Sequence, residues 1–116
     1  MHVNFKRLRD TLIIEIAGAV DRFAAGRLHD AVNEAIRSDC THLLVDLSGA
    51  TSLTRAGIRG LVVGARLMRN RHSEFLVNVP DPVMRSVLEA TGFADLQRAV
   101  QRGTAGSAVS LQHKAA

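Results

Sequence analysis

A chain of 116 residues, 47% of them hydrophobic, is long enough for one folded domain and too short for a second hydrophobic core. Charged residues form 22% of the sequence, close to the usual share of a globular protein, so wholesale disorder is excluded. Fifteen Lys and Arg against eleven Asp and Glu give a net charge of +4, and thirteen of these cations are Arg, which suits carboxylate and phosphate partners.

The spacing of apolar residues predicts two strands and a helix at the start of the chain. An alternating run from Val3 to Arg7 and a β-branched run over residues 11–17 predict two strands, and Arg9-Asp10 between them indicates a hairpin turn. From Phe23 the apolar residues fall at helical spacing, which predicts an amphipathic helix packed on a sheet.

The rest of the chain continues this alternation. The predicted elements are a central strand at residues 42–47, a loop at 48–55, a helix at 56–70, a strand at 74–79 and a helix at 82–92. Residues 96–100 form a weak final element, strand or helix. The predicted domain covers residues 1–102, and residues 103–116 are predicted to be a frayed helix or a flexible tail.

The predicted order is therefore β-β-α-β-α-β-α. Strands that alternate with helices need crossover connections, which are right-handed. The predicted fold class is α/β, a single domain with a mixed sheet and with helices packed mainly on one face.

Few residues could support catalysis. The lone Cys40 excludes an intrachain disulfide and a multi-cysteine metal site, and the five His show no ligand spacing. Without a nucleophile-base pair or a phosphate-binding glycine motif, no enzyme, metal site or cofactor is predicted. Four Phe without Trp or Tyr argue against a nucleic-acid partner. No apolar window approaches a membrane span, so a cytoplasmic protein without membrane insertion is expected.

The most basic segment is the second predicted helix. Residues 55–71 contain five Arg and no acidic residue. Gly57, Gly60 and Gly64 lie near one another on the helical wheel, and each weakens the helix by roughly 1 kcal/mol relative to Ala. Three such losses indicate a close backbone approach, either to the sheet, which is the favoured interpretation, or to a partner.

Three short motifs follow one another in a fixed order. They are Gly18-Ala19-Val20-Asp21, then Asp46-Leu47-Ser48 with Gly57-Ile58 after the predicted loop, and Thr91-Gly92-Phe93 at the end of an apolar helix. Over roughly residues 3–100, the sequence resembles the STAS domain of bacterial anti-sigma factor antagonists. The resemblance implies a STAS-like fold of the SpoIIAA type.

The resemblance also implies a protein-binding switch. Such domains bind an anti-sigma factor with a histidine-kinase-like ATPase fold and release it when that partner phosphorylates a Ser or Thr at the start of the second helix. The phosphate adds bulk and about two negative charges to the interface. The implied partner-binding residues are Asp21, Ser48, Thr51, Ser52, Thr54, Arg55, Ala56, Gly57 and Arg59. The docking surface is expected to be centred on the loop over residues 48–56, the start of the following helix and the turn over residues 21–25.

The sequence departs from the family pattern at the phosphorylated position. The family's Asp-Ser-Ser-Gly motif reads Thr54-Arg55-Ala56-Gly57, so Ala56 stands at the acceptor position and cannot be phosphorylated. Thr54 is the candidate substitute acceptor, although a helix-capping role is expected for it. A constitutively binding, non-catalytic antagonist-like regulator is predicted. The alternative is an adaptor or scaffold subunit of a transport or signalling complex, since STAS-like domains also occur as accessory subunits of lipid-transport and anion-transport systems. The oligomeric state stays open, a homodimer included.

Overall fold

The structure, a computed structural model, describes residues 1–103 and opens with a β-hairpin. Strand β1 (His2–Leu8) pairs antiparallel with β2 (Thr11–Val20). Arg9, with a φ of 58°, turns the chain between them, and Leu8 pairs with Thr11 across the turn. The predicted hairpin is confirmed, with both strands longer than the alternating runs indicated.

Two parallel strand pairs complete the sheet. Helix α1 (Ala25–Arg37) leads from β2 to β3 (His42–Leu53), and helix α2 (Arg55–Asn70) leads from β3 to β4 (Glu74–Asn78). β3 pairs parallel with both β2 and β4, so the strand order is β1-β2-β3-β4. Two crossovers of the same hand place α1 and α2 side by side on one face of the sheet.

The hydrophobic core lies between this face of the sheet and the helices. Ile14 of β2 and Leu43 of β3 are fully buried in one cluster with Leu28 of α1 and Leu61 of α2. This arrangement confirms the predicted α/β fold class, with a mixed sheet and with helices mainly on one face.

The last described elements are helical. Helix α3 (Pro82–Glu89) is capped by Asp81, whose carboxylate accepts the Val83 N–H at 3.0 Å. Residues 94–103 form a further helical stretch, α4, which adds Leu96 and Val100 to the core. The weak element predicted at residues 96–100 is therefore a helix. Of the predicted tail, only Gly103 is described, as a buried helical residue, and residues 104–116 lie outside the described part.

The predicted loop over residues 48–55 is wrong. β3 continues to Leu53, and α2 begins at Arg55 with only Thr54 between them. Gly49 and the neighbouring hydroxyl residues resemble turn chemistry in the sequence. β2 nevertheless extends far enough to pair with them, and β3 accommodates two extra residues as bulges. The pairs that flank the bulges are Glu15 with Asp46, Ala17 with Gly49, Gly18 with Ala50, and Ala19 with Ser52.

The Asp46 carboxylate stabilises the first of these bulges. Its Oδ1 accepts the Ser48 N–H at 3.0 Å and Asn78 Nδ2–H at 3.1 Å. A bulge removes an amide from the strand ladder, and that amide needs another acceptor. Asp46 therefore has a structural role where β3 leaves β4.

The glycines of α2 allow it to pack closely within the domain. An added Cβ at Gly64 would lie 2.7 Å from Val32 Cγ1 of α1 and 3.1 Å from Phe75 Cε1 of β4. At Gly60 the nearest atom would be His29 Cα of α1, at 3.8 Å. The expected approach to the sheet is thus only part of the explanation, because α1 is the neighbour at both positions.

Candidate functional site

The residues that follow β2 and β3 meet at one edge of the sheet. Because these strands are parallel, their C-terminal ends lie side by side, with Val20 paired to Leu53. The Thr54 N–H donates to the Val20 carbonyl at 2.9 Å, which holds the turn after β2 against the start of α2. We call this region, residues 21–24 and 52–59, the strand-end surface.

Asp21 closes the turn at the start of α1. Its Oδ1 accepts the Phe23 N–H at 3.0 Å and the Ala24 N–H at 2.9 Å. Its main-chain carbonyl accepts the N–H groups of Ala24 and Ala25 at 3.1 and 2.9 Å. These bonds satisfy amides that the helix start leaves unpaired. Asp21 therefore fixes the turn that presents Arg22 and Phe23.

Phe23 lies in the turn expected to belong to the docking surface, although the sequence alone did not single it out as a site residue. Its side chain is 78% exposed, and the Arg22 guanidinium carbon lies 4.9 Å from the ring centroid. An exposed aromatic ring beside Arg is typical of residues that dominate protein interfaces. The sequence did contain a signal for this residue, because Phe23 follows Arg22 directly in a chain with only four Phe. The helical period assigned Phe23 to α1, whereas it precedes that helix.

Thr54 is the N-cap of α2, as expected. Its backbone is extended, with φ −84° and ψ 167°, and its Oγ1 accepts the Gly57 N–H at 3.4 Å. The half-buried side chain thus satisfies one of the free amides of the first helical turn.

Loss of this cap gives a measurable prediction. We expect Thr54→Ala to lower the free energy of unfolding by about 0.5–1 kcal/mol, the lower part of the range for a lost cap, because the bond is long. Thr54→Ser keeps the hydroxyl and is expected to match the wild type. Urea denaturation followed by circular dichroism measures both, and equal stabilities of the two variants would contradict the capping role.

Gly57 lies beneath the strand-end surface. It is buried, and an added Cβ would lie 2.9 Å from both Val20 Cγ1 and Leu53 Cδ1. The structure therefore gives it a packing role, setting how closely α2 approaches the strand ends, instead of the predicted contact with a partner.

The first turns of α2 present positive charge. Arg55, Ala56 and Arg59 are exposed, and the first turn carries no acidic residue. Within residues 1–103, neither Arg has a carboxylate oxygen within 4 Å. The helix N-terminus adds its own partial positive charge. This arrangement suits an acidic protein surface.

The hydroxyl residues of β3 lie only partly on the strand-end surface. Ser52 belongs to this surface and pairs with Ala19, and Thr51 precedes it in the second bulge. Ser48 is six residues before Thr54, which places it about 15–20 Å away along an extended strand. The loop expected over residues 48–56 is therefore wrong, because residues 48–53 belong to β3 and α2 begins at Arg55.

Other kinds of site were also sought in the described part of the chain. Over residues 1–103, no three His, Cys, Asp or Glu side chains are grouped so that they could hold a metal ion. No helix in that stretch combines the length and the apolar character needed to cross a membrane. The strand-end surface is the region where most of the predicted site residues meet, with Ser48 and Thr51 outside it.

Comparisons with known proteins agree with this fold. The family model described as "Mlab, STAS domain" matches residues 3–100. A search of curated proteins finds no match. The anti-sigma factor antagonist SpoIIAA in its unphosphorylated form has a TM-score of 0.65 at 18% identity, covering 76% of this chain and 82% of that one.

Two further structures are similar. SpoIIAA, the Bacillus cell fate determinant, in its phosphorylated form has a TM-score of 0.66 at 18% identity, covering 79% of this chain and 85% of that one. An anti-sigma factor antagonist from Mycobacterium paratuberculosis has a TM-score of 0.64 at 16% identity, covering 84% and 92%. At such identities the likeness concerns the fold, whereas the family match covers most of the sequence. The chain belongs to the STAS domain family.

Proposed function

We propose that this chain is a non-catalytic cytoplasmic regulator that binds an anti-sigma factor with a histidine-kinase-like ATPase fold through its strand-end surface. The observation that carries the proposal is Ala56, which is exposed at the family's acceptor position and has no hydroxyl. The partner's kinase activity therefore has no acceptor there, and binding is not released by phosphorylation.

The charges at the start of α2 support a docking role. Cations near a helix N-terminus oppose the macrodipole and weaken the helix. Arg55 and Arg59 nevertheless lie in its first turns without a nearby carboxylate in the described chain. Helix stability does not account for these two residues, whereas an acidic partner surface does.

The test is a titration of the full chain against an ATPase-type anti-sigma factor from the same cell, with and without ATP and Mg²⁺. We expect equal affinity under both conditions and no gain of mass by the chain. No detectable binding would overturn the proposal. A phosphate on Thr54 that weakens binding would overturn its constitutive character.

Restoring a hydroxyl gives a related prediction. Ala56→Ser places a Ser at the exposed acceptor position, so we expect the same partner and ATP to add one phosphate to this variant and none to the wild type. Intact-mass spectrometry measures the gain, and tryptic mapping places it. An Ala56→Ser chain that binds the partner and stays unmodified would contradict the proposed alignment of this position with the family's acceptor.

A second candidate function is an adaptor subunit of a transport complex. The observation that favours it is again Ala56, because an adaptor has no need for an acceptor hydroxyl at this position. Co-purification from the native cell separates the two candidates, because the first predicts a soluble kinase-like partner and the second a membrane ATPase complex.

A further inference from the structure

A groove of about 530 Å³ lies between α2 and the segment around α3, beside the strand-end surface. One side of α2 forms the first wall, through Arg55, Ile58, Arg59, Val62, Val63 and Arg66. The opposite wall contains Val87 of α3 and, after this helix, Thr91 and Phe93. The α2 wall runs over twelve residues, with about 16 Å of helix between the first and the last.

The inner surface of the groove is apolar and open to solvent. Val87 and Phe93 are 48% and 43% exposed, although both are large hydrophobic residues. Ile58 and Val63 on the opposite wall are half-buried. Apolar side chains that are contiguous and exposed in this way mark an interaction site.

The rim of the groove is positively charged. Its lining contains Arg55, Arg59 and Arg66 and no acidic residue. Within residues 1–103, none of the three has a carboxylate oxygen within 4 Å, and the Arg66 guanidinium lies 5.6 Å from the Phe93 ring centroid. Charge complementarity therefore requires an occupant with acidic residues along its edges.

The walls also indicate the shape of this occupant. The α2 wall is helical, so its main-chain groups already bond within the helix. On the opposite wall Val87 is helical, and the N–H groups of Thr91 and Phe93 donate to the Leu88 carbonyl and to Thr91 Oγ1, both at 3.4 Å. An extended peptide would find few main-chain partners there, whereas a helix satisfies its own main chain and contributes only side chains. The wall length of about 16 Å matches roughly three turns of such a helix.

We propose that this groove binds an acidic amphipathic helix of a protein partner. Apolar side chains of that helix, three or four residues apart, pack on Val63, Val87 and Phe93, and its flanking Asp or Glu pair with the three Arg. This inference rests on the proposed function, because Arg55 and Arg59 belong both to the strand-end surface and to the groove. The chain's own residues 104–116 contain no Asp or Glu, so they do not supply the charge. A bilayer surface does not match a concave site whose positive charge lies along one wall.

Site-specific photo-crosslinking in the native cell tests this proposal. A photoreactive benzoylphenylalanine replaces Val87 in the full chain, and the matched control carries it at Arg37, at the far end of α1. We expect Val87 to crosslink to one protein segment with helical apolar spacing and an excess of Asp and Glu, and Arg37 not to do so. Crosslinks to lipid, to residues 104–116, to a second copy or to a basic segment would overturn the proposal, as would the absence of a protein crosslink.

A synthetic peptide of the crosslinked segment then measures the contribution of charge. Arg66→Glu is expected to weaken its binding to the full chain by about tenfold in fluorescence anisotropy, and Arg37→Glu to leave it within about twofold. Equal effects of the two variants would overturn the charge pairing. Arg66 lies outside the strand-end surface, so the groove can fail while the ATPase-type partner still binds. Conversely, a crosslinked acidic helix from an unrelated protein would support the groove proposal, and the titration against the ATPase-type partner would still decide the proposed function.

Discussion

Gly64→Ala is expected to lower the free energy of unfolding by about 1–3 kcal/mol, although alanine is the better helix former. The added Cβ would lie 2.7 Å from Val32 Cγ1 and 3.1 Å from Phe75 Cε1. Val32 is β-branched and has essentially one side-chain rotamer in a helix, so it does not rotate away. Relief requires α1 and α2 to separate, which disturbs a close-packed core. This strain exceeds the roughly 1 kcal/mol that alanine contributes over glycine in a helix.

Gly60→Ala, one turn earlier on the same helix, is the matched control. Its Cβ would meet nothing closer than His29 Cα at 3.8 Å, an ordinary contact distance. We expect this variant to be more stable than the wild type by about 0.5–1 kcal/mol. Since the chain contains no Trp or Tyr, urea unfolding is followed by far-ultraviolet circular dichroism. Shifts of the same sign in both variants would contradict the close α1–α2 packing.

The sequence predicts the order of the elements because each one buries a single apolar face. Leu28 and Val32 are four residues apart on α1, and both are buried, as the helical period requires. The short run from residue 42 is apolar on both faces, and it forms the strand between β2 and β4. These features are local, so one stretch of sequence suffices to reveal them.

The features that were missed depend on neighbours distant in the sequence. The bulged end of β3 exists because β2 remains extended beside it as far as Val20. The carboxylate that accepts the Ser48 amide comes from Asp46, and Asn78 also bonds to it from β4. Glycine and hydroxyl residues in a row indicate a turn when no partner strand is known.

The candidate site was predicted in part. The family motif located Thr54 and Ala56, and the structure places both at the start of α2. The exposure of Phe23 depends on the turn that Asp21 closes. The helical spacing of apolar residues had placed Phe23 in α1, so this exposure was not predicted. The groove was not predicted, because its two walls come from separate stretches of the chain that only the fold brings together.

Ala56→Glu is expected to weaken binding of the ATPase-type partner by about 100-fold or more, or about 2.7 kcal/mol. The new carboxylate would stand between Arg55 and Arg59 on the strand-end surface, where an acidic partner surface is proposed to bind. It would repel that surface and offset the charge of the two Arg, by the like-charge repulsion through which an added phosphate disrupts an interface. Isothermal titration calorimetry of the full chain measures the loss.

The matched control for this variant is Ala56→Gln, which adds the same bulk without charge and is expected to stay within about fivefold of wild-type affinity. Glu in the first turn of a helix is favourable, so Ala56→Glu should unfold at or above the wild-type temperature. A loss of binding therefore cannot be ascribed to loss of the fold, and thermal unfolding followed by circular dichroism checks this. Equal losses for Glu and Gln would point to steric exclusion instead of charge. Wild-type affinity in Ala56→Glu, and also in the double variant with Arg59→Glu, would place the docking surface elsewhere on the domain.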